Sequence, residues 1–365
     1  MAKYIYQYKD WTHFTWQERP INVLSGEVRN LQGKISGQMS VLGFSTKEEA
    51  VLTSLTLDVV KSSEIEGEIL NYDQVRSSIA RRLGLDAGGL VSSDRNVEGV
   101  VDMMLDATQN YKMALTHGRL FGWHSALFPT GYSGMHKIEV ARYRTGVMQV
   151  VSGAMGKEKV HYEAIAPQFV EDEMNKFLDW INSDIQLDSV LKAAIAHFWF
   201  IIIHPFDDGN GRIARAIADM ILSRSENSSE RFYSMSSQIL NERKRYYEVL
   251  QKVQHSNGDI TEWLEWFLNC LKNALLETEL ALKRVLRKVE FWQLHAKTEL
   301  NERQRLVLNK LLDGFEGKLK SSKWARLTKC SADTALRDIK DLIDKGILQQ
   351  ENGGGRSTNY ELREF

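Results

Sequence analysis

From Ser189 to Ile203 nearly every residue is apolar (SVLKAAIAHFWFIII). A helix that is apolar all round has to be covered all round, so this one belongs at the centre of the fold. It is no membrane span. Its longest apolar run, Ala193–Ile203, falls short of the ~20 residues a bilayer needs and carries His197. A central rod of this kind implies a mainly α protein. Only four prolines (Pro20, Pro129, Pro167, Pro205) interrupt the helices that would surround it.

Composition narrows the function classes. The chain has 365 residues, room for two or three domains. Forty-seven Lys and Arg against 48 Asp and Glu leave a net charge of −1, so no nucleic-acid or membrane partner is advertised by bulk charge. Cys270 and Cys330 alone support neither a disulfide framework nor a four-thiolate zinc site. Met1–Phe14 lacks the charged-then-apolar pattern of an export leader, and the expectation is a cytoplasmic protein with no membrane partner.

Helical spacing runs over residues 22–43, from Ser45 toward Gly67, over Tyr72–Leu83 and over 97–120, with another helix starting at Gly122. Residues 143–164 differ. Val147, Gln149 and Val151 alternate, a turn-like SGAMGK follows at 152–157, and KVHY comes next, which predicts a β-hairpin. Helices return from Pro167 to Trp180, over 189–203, 211–223 and 240–255, and over a long 260–296 segment. From Asn301 the pattern is helix, short helix, helix (Ser331–Lys345), then two short strands (346–348, 359–362) flanking the glycines at 353–355. That order resembles a winged helix-turn-helix.

The chemistry concentrates in one segment, HPFDDGNGRIAR, His204 to Arg215. The apolar helix ends at His204, and a loop rich in residue types that tolerate positive φ follows. Backbone N–H groups of such a loop, with the N-terminus of the next helix near Gly211, form an anion seat. Arg212 and Arg215 lie three apart on one face of that first turn, where cations oppose the helix dipole unless an anion sits there. Asp208 could hold Mg²⁺, which favours one or two carboxylates plus phosphate oxygens. His204 could take a proton at neutral pH. A lone His here is commonly a packed or capping residue and a lone GNG commonly a turn. Three features aimed at one phosphate ligand favour the chemical reading. Gly209-x-Gly211-x-x-Ala214 also fits a dinucleotide fingerprint, but no strand precedes it and no acid follows at the required distance.

The segment matches every position of the Fic signature H-x-F-x-[D/E]-G-N-G-R-x-x-R, and the chain resembles that family over residues 95–260. The resemblance implies a Fic helical core with a β-hairpin flap, transferring AMP from ATP to a Tyr, Ser or Thr hydroxyl of a target protein. His204 would be the general base and Asp208 the Mg²⁺ ligand. Gly209, Asn210 and Gly211 would hold phosphate oxygens, with Arg212 on the phosphates, Arg215 on the γ-phosphate and Phe206 as the loop's anchor. Tyr246 and Tyr247 match a pair lining the adenine side, either of which could instead be plain packing. The target would dock on the 147–163 hairpin near Val151, Ser152 and Gly153. Residues 1–85 resemble a domain of unassigned function that often precedes Fic domains.

Residues 62–67 (SSEIEG) fit the family's inhibitory pattern [S/T]-x-x-x-E-[G/N] through Ser62, Glu66 and Gly67. The resemblance implies that Glu66 pairs with Arg215 and holds ATP in an unproductive pose. The expected architecture is an N-terminal helical domain (1–90) carrying this motif, a Fic catalytic domain (95–260), a helical connector (261–300) and a winged helix (301–365). The expected function is an auto-inhibited adenylyltransferase that includes itself among its targets. The alternatives are a de-AMPylase using the same site and a DNA-binding regulator with a nucleotide-sensing Fic core. Residues 301–365 hold 13 Lys and Arg against 10 Asp and Glu. Lys318, Lys320, Lys323, Arg326, Lys329, Arg337, Lys340 and Arg356 are candidate DNA contacts over 318–356. A protein-binding or homodimer-forming role for that module is the other option.

Overall fold

The computed structural model describes residues 2–85, 89–152, 159–315, 317–351 and 358–364. They form two compact units, Met1–Thr278 and Glu279–Phe365. Both are mainly helical.

The first unit opens with a 3₁₀ turn at Ile5–Gln7 and the helices α1 (Glu18–Ser40), α2 (Phe44–Ile65) and α3 (Tyr72–Leu83). α4 (Arg95–Gln109) and α5 (His117–Leu127) replace the single helix expected over 97–120. Thr116 caps α5 by accepting the Arg119 N–H (3.2 Å), and the Arg119 guanidinium takes the carbonyls of Asp106 (2.8 Å), Asn110 (3.2 Å) and Met113 (2.9 Å). These bonds satisfy carbonyls that a continuing helix would have used. A tiny ribbon of β1 (Tyr132–Ser133) and β2 (His136–Lys137), unforeseen in the sequence, precedes the expected hairpin of β3 (Gln149–Ser152) and β4 (Lys159–Glu163). Gly153 and most of the SGAMGK turn lie outside the described residues.

After a 3₁₀ turn at Pro167–Phe169 come α6 (Val170–Asn182), the central α7 (Ser189–Ile203) and α8 (Asn210–Glu226). The helix expected over 240–255 is two, α9 (Met235–Asn241) and α10 (Arg243–Val253), because Glu242 leaves helical geometry at φ −108°, ψ 21°. α11 (Thr261–Leu294) begins in the first unit and ends in the second.

α7 is enclosed as its composition demands. Trp199 and Phe200 meet Phe177 and Trp180 of α6, and Phe198 meets Phe14 and Trp263. The Trp263 indole donates to the Ala194 carbonyl (2.8 Å), and the buried Tyr162 hydroxyl donates to that of Ile202 (2.6 Å). No helix among the described residues is long and apolar enough to cross a membrane.

The second unit adds α12 (Glu302–Leu312), α13 (Ser321–Thr328), α14 (Ala332–Asp344) and the antiparallel β5 (Leu348–Gln350) and β6 (Tyr360–Leu362), in the order expected for a winged helix-turn-helix. Its core gathers Val307, Leu308, Trp324, Ile339 and Leu342. Lys329 turns the chain between α13 and α14 at φ 52°, and Ser331 caps α14 by accepting the Thr334 N–H (3.2 Å). Lys320, Arg326, Lys329, Arg337 and Lys340 are exposed. Lys318 pairs with Glu351, and Lys323 lies over the Phe315 ring (3.9 Å). The glycines at 353–355 and Arg356 fall outside the described residues.

Candidate active site

The loop between α7 and α8 is built on the core. His204 ends α7 in the left-handed region (φ 50°, ψ 59°), and its N–H still donates to Phe200 (3.0 Å). Phe206 is fully buried and stacks on the His124 ring at 4.2 Å. Asn210 accepts the Phe206 N–H (3.0 Å) and returns its own amide to the Phe206 carbonyl (2.8 Å), closing the loop from inside. Gly209 has φ 81°, and a Cβ there would strike Phe128 (2.9 Å) and Leu127 (3.2 Å), so no other residue fits without movement.

α8 makes its first internal bond at Ile213 N–H to Gly209 (3.0 Å). The N–H groups of Asn210, Gly211 and Arg212 therefore precede the helical ladder, and they are the usual anion ligands of a helix start. Arg215 is buried and Arg212 is nearly so (6% exposed), with its guanidinium 5.1 Å over the Phe128 ring. Asp208 is half-buried. One oxygen accepts the Gly209 N–H (2.6 Å) and the other the Ser133 hydroxyl, which leaves lone pairs on both. No cluster of three or more His, Cys, Asp or Glu able to hold a metal occurs among the described residues. A carboxylate beside a helix start nevertheless suits Mg²⁺, which takes much of its shell from phosphate and water.

The half-buried His204 donates from Nδ1 to the Ile201 carbonyl (3.3 Å). A carbonyl only accepts, so the proton sits on Nδ1 and the Nε2 lone pair is available. Burial lowers its pKa to about 4, with the Arg144 charge acting in the same direction and Glu66 and Asp208 opposing. The imidazole is neutral, the form a base needs.

The end of α2 meets this loop. Ser62 accepts the Arg215 Nε–H on its hydroxyl (2.8 Å) and an Nη2–H on its carbonyl (2.8 Å). Glu66 pairs with Arg215 at 2.9 Å. Burial works against the Arg215 charge, but the Glu66 carboxylate together with Tyr246 and Tyr247 outweighs it, raising the pKa. A Cβ on Gly211 would overlap the Glu66 carboxylate, so that carboxylate lies over the first turn of α8. Gly67 turns the chain at φ 88°, and Glu68 then pairs with Arg212 at 2.5 Å. The sequence carried no signal for Glu68. Above this contact Asp58, buried on α2, accepts the Ser234 hydroxyl (2.7 Å) and the Ser236 N–H (3.0 Å).

Of the tyrosine pair, Tyr246 is 1% exposed and bonds His197 in the core (2.9 Å). Tyr247 is open to solvent, and its hydroxyl reaches Glu66 at 3.4 Å. Ser152 lies on β3, in the hairpin beside the loop.

Parts of the chain are similar to known proteins. Residues 78–222 match the Fic/DOC family. Residues 4–85, ahead of that Fic/DOC domain and overlapping its start, match a domain of unknown function, DUF4172. Among curated relatives, the protein adenylyltransferase fic-1 of Caenorhabditis elegans is 29% identical over 138 residues, covering 35% of this chain and 25% of that protein. The protein adenylyltransferase Fic of Drosophila willistoni is 26% identical over 221 residues, covering 60% and 40%. The chain thus spans less than half the length of these relatives. Among solved structures, a Fic family protein of Desulfovibrio desulfuricans shares the fold at a TM-score of 0.52 and 20% identity, over 93% of this chain and 96% of that one. A Fic domain containing signaling protein of Bacteroides thetaiotaomicron also scores 0.52 at 20% identity, over 70% and 97%.

Proposed function

We propose that this chain is an auto-inhibited protein adenylyltransferase, moving AMP from ATP to a Tyr, Ser or Thr hydroxyl of a target protein and of itself. The observation that carries the reading is the convergence of a neutral imidazole, the first N–H groups of α8 and two buried arginines at one turn of chain. The triphosphate lies over Gly209, Asn210 and Gly211, with Arg212 and Arg215 matching its charge. Asp208 would hold Mg²⁺, which would supply neutralisation of phosphate charge. His204 Nε2 accepts the proton as the target oxygen attacks the α-phosphorus. The bond from that phosphorus to the bridging oxygen breaks, and pyrophosphate leaves. Fixed charge and orientation provide most of the rate. Tyr247 flanks the adenine side, while Tyr246 supports it from the core. The target docks along residues 147–163, near Ser152 and Gly153.

Glu66 is the brake. Its carboxylate holds Arg215 over the first turn of α8, which is the space an incoming γ-phosphate needs. Glu68 on Arg212 makes the brake double, so both arginines of the seat are held by one turn of chain. Residues 1–90 serve as the inhibitory part and 95–260 as the catalytic part. Residues 261–300 are the connector and 301–365 a winged helix.

Exposed cations of that last module favour a second role, DNA contact through 318–356. Binding to random duplexes at low salt, weakening as salt rises, supports it. No shift at low salt assigns the module to protein contacts or homodimer formation.

Intact-mass spectrometry of Glu66→Gly after incubation with Mg-ATP tests the main reading. The expected product carries one added AMP or more, which is absent after His204→Ala is introduced. An unchanged mass, together with loss of AMP from a modified target, would support the reverse reaction instead.

A further inference from the structure

Arg144 lies outside the loop and carries no role in the signature. It is 2% exposed, and its hydrogen bonds among the described residues all involve main-chain carbonyls. The guanidinium donates to His204 (2.7 Å), Gly146 (2.9 Å), Ile203 (3.4 Å) and Ile165. Its own N–H donates to Pro205 (2.9 Å). Three of these carbonyls, at Ile203, His204 and Pro205, line the exit from α7 around the left-handed His204. The other two lie on the limbs of the hairpin, Gly146 before β3 and Ile165 after β4. A cation suits a helix C-terminus. The planar five-donor fork of arginine serves its four carbonyls at once, one more than a lysine ammonium has N–H groups for. No carboxylate pairs with Arg144 among the described residues, and a guanidinium buried in that way is a costly route to stability alone.

We propose that Arg144 is a positioning residue: it locks the His204 backbone and both limbs of the hairpin to one rigid group, fixing the gap between the docked target hydroxyl and the His204 imidazole. The inference rests on the adenylyltransferase reading above. Its consequence for that reaction is a geometric one, since a misplacement of ~1 Å costs on the order of 10²-fold in rate. The charge also acts on the imidazole directly. The groups that influence the His204 ring are Arg144, Glu66 and Asp208, with the Ile201 carbonyl on Nδ1. Of the three charges, only Arg144 disfavours protonation.

The test uses the full chain with Glu66→Gly as parent and compares Arg144→Lys and Arg144→Met on that background. Two readouts are taken, AMP incorporation against pH and the His204 pKa by NMR titration. Thermal melting and ATP binding check the fold. Arg144→Lys keeps the charge and loses the fork. It is expected to lower the turnover rate on the order of 10²-fold while leaving ATP affinity and the His204 pKa near those of the parent. Arg144→Met is expected to lower the rate and also to raise the His204 pKa, moving the acid limb of the rate profile upward. Parent-like turnover in Arg144→Lys overturns the proposal. So does a loss of rate matched by equal loss of ATP binding, which marks a plain folding role. If Arg144→Met fails to fold, the lysine variant decides alone. If the parent transfers no AMP, the adenylyltransferase reading fails, and with it the claim about rate. The NMR titration still shows whether Arg144 sets the imidazole.

Discussion

Two turns of chain meet at the candidate site, and they are made differently. The 204–210 loop is fixed from within by a buried phenylalanine, an asparagine bonded to the loop's own backbone and a glycine pressed on Phe128. The 66–68 turn reaches the site through two carboxylates, one on each arginine, both on side chains about one-third exposed. Packing of the first kind is costly to undo, whereas ion pairs at a partly wet edge contribute little. A rigid seat under a loosely held cover is an arrangement that a competing polyanion can open.

That contrast can be broken at either side. His204→Ala on the Glu66→Gly background removes the base and is expected to lower AMP incorporation about 10²–10⁴-fold, read by intact mass over time. Phe206→Ala empties the space beneath the loop and is expected to cost about 3–5 kcal/mol in chemical unfolding, with ATP binding lost alongside. Glu66→Gly should raise self-modification about tenfold or more, the equivalent of about 1.4 kcal/mol, read by intact mass over time. Glu68→Gln should raise it only about two- to fivefold, since a pair this exposed is worth about 1 kcal/mol or less. An increase for Glu68→Gln as large as that for Glu66→Gly would make the two acids equal partners.

Acidity sharpens the same comparison at smaller scale. Burial lowers the pKa of His124 to about 4, of His197 to about 3 and of His204 to about 4. These rings stay neutral in the native chain and take protons on unfolding, so the unfolded state binds more protons below the free histidine value of ~6.5. Stability should therefore decline as pH falls from about 6.5 toward 4, by up to about 1.4 kcal/mol per pH unit for each ring. Melting temperature against pH checks the sign, and replacing His197 with Phe should flatten the slope.

The seat was legible in the sequence because its parts are neighbours in the chain. An apolar helix, a Gly-Asn turn and two arginines three apart need no tertiary knowledge. Glu66 was legible through its pattern with Ser62. Glu68 was not, because its partner lies 144 residues away and no spacing rule joins them. Arg144 was hidden for a related reason, since three separate segments supply its carbonyls. The Tyr246 and Tyr247 pair shows a different limit. Adjacent helical residues point about 100° apart, so one faced the core and the other solvent beside Glu66, and only packing decided which. The break between α4 and α5 escaped because Arg119, a good helix former, spends its donors on carbonyls instead.

The most direct measurement is a crystal structure of the Glu66→Gly protein with Mg²⁺ and a non-hydrolysable ATP analogue. The account predicts phosphate oxygens on the N–H groups of Asn210 to Arg212, the γ-phosphate on Arg215, and His204 Nε2 facing the α-phosphorus. Nucleotide bound elsewhere, or a seat still closed by side chains with the imidazole turned inward, would contradict it.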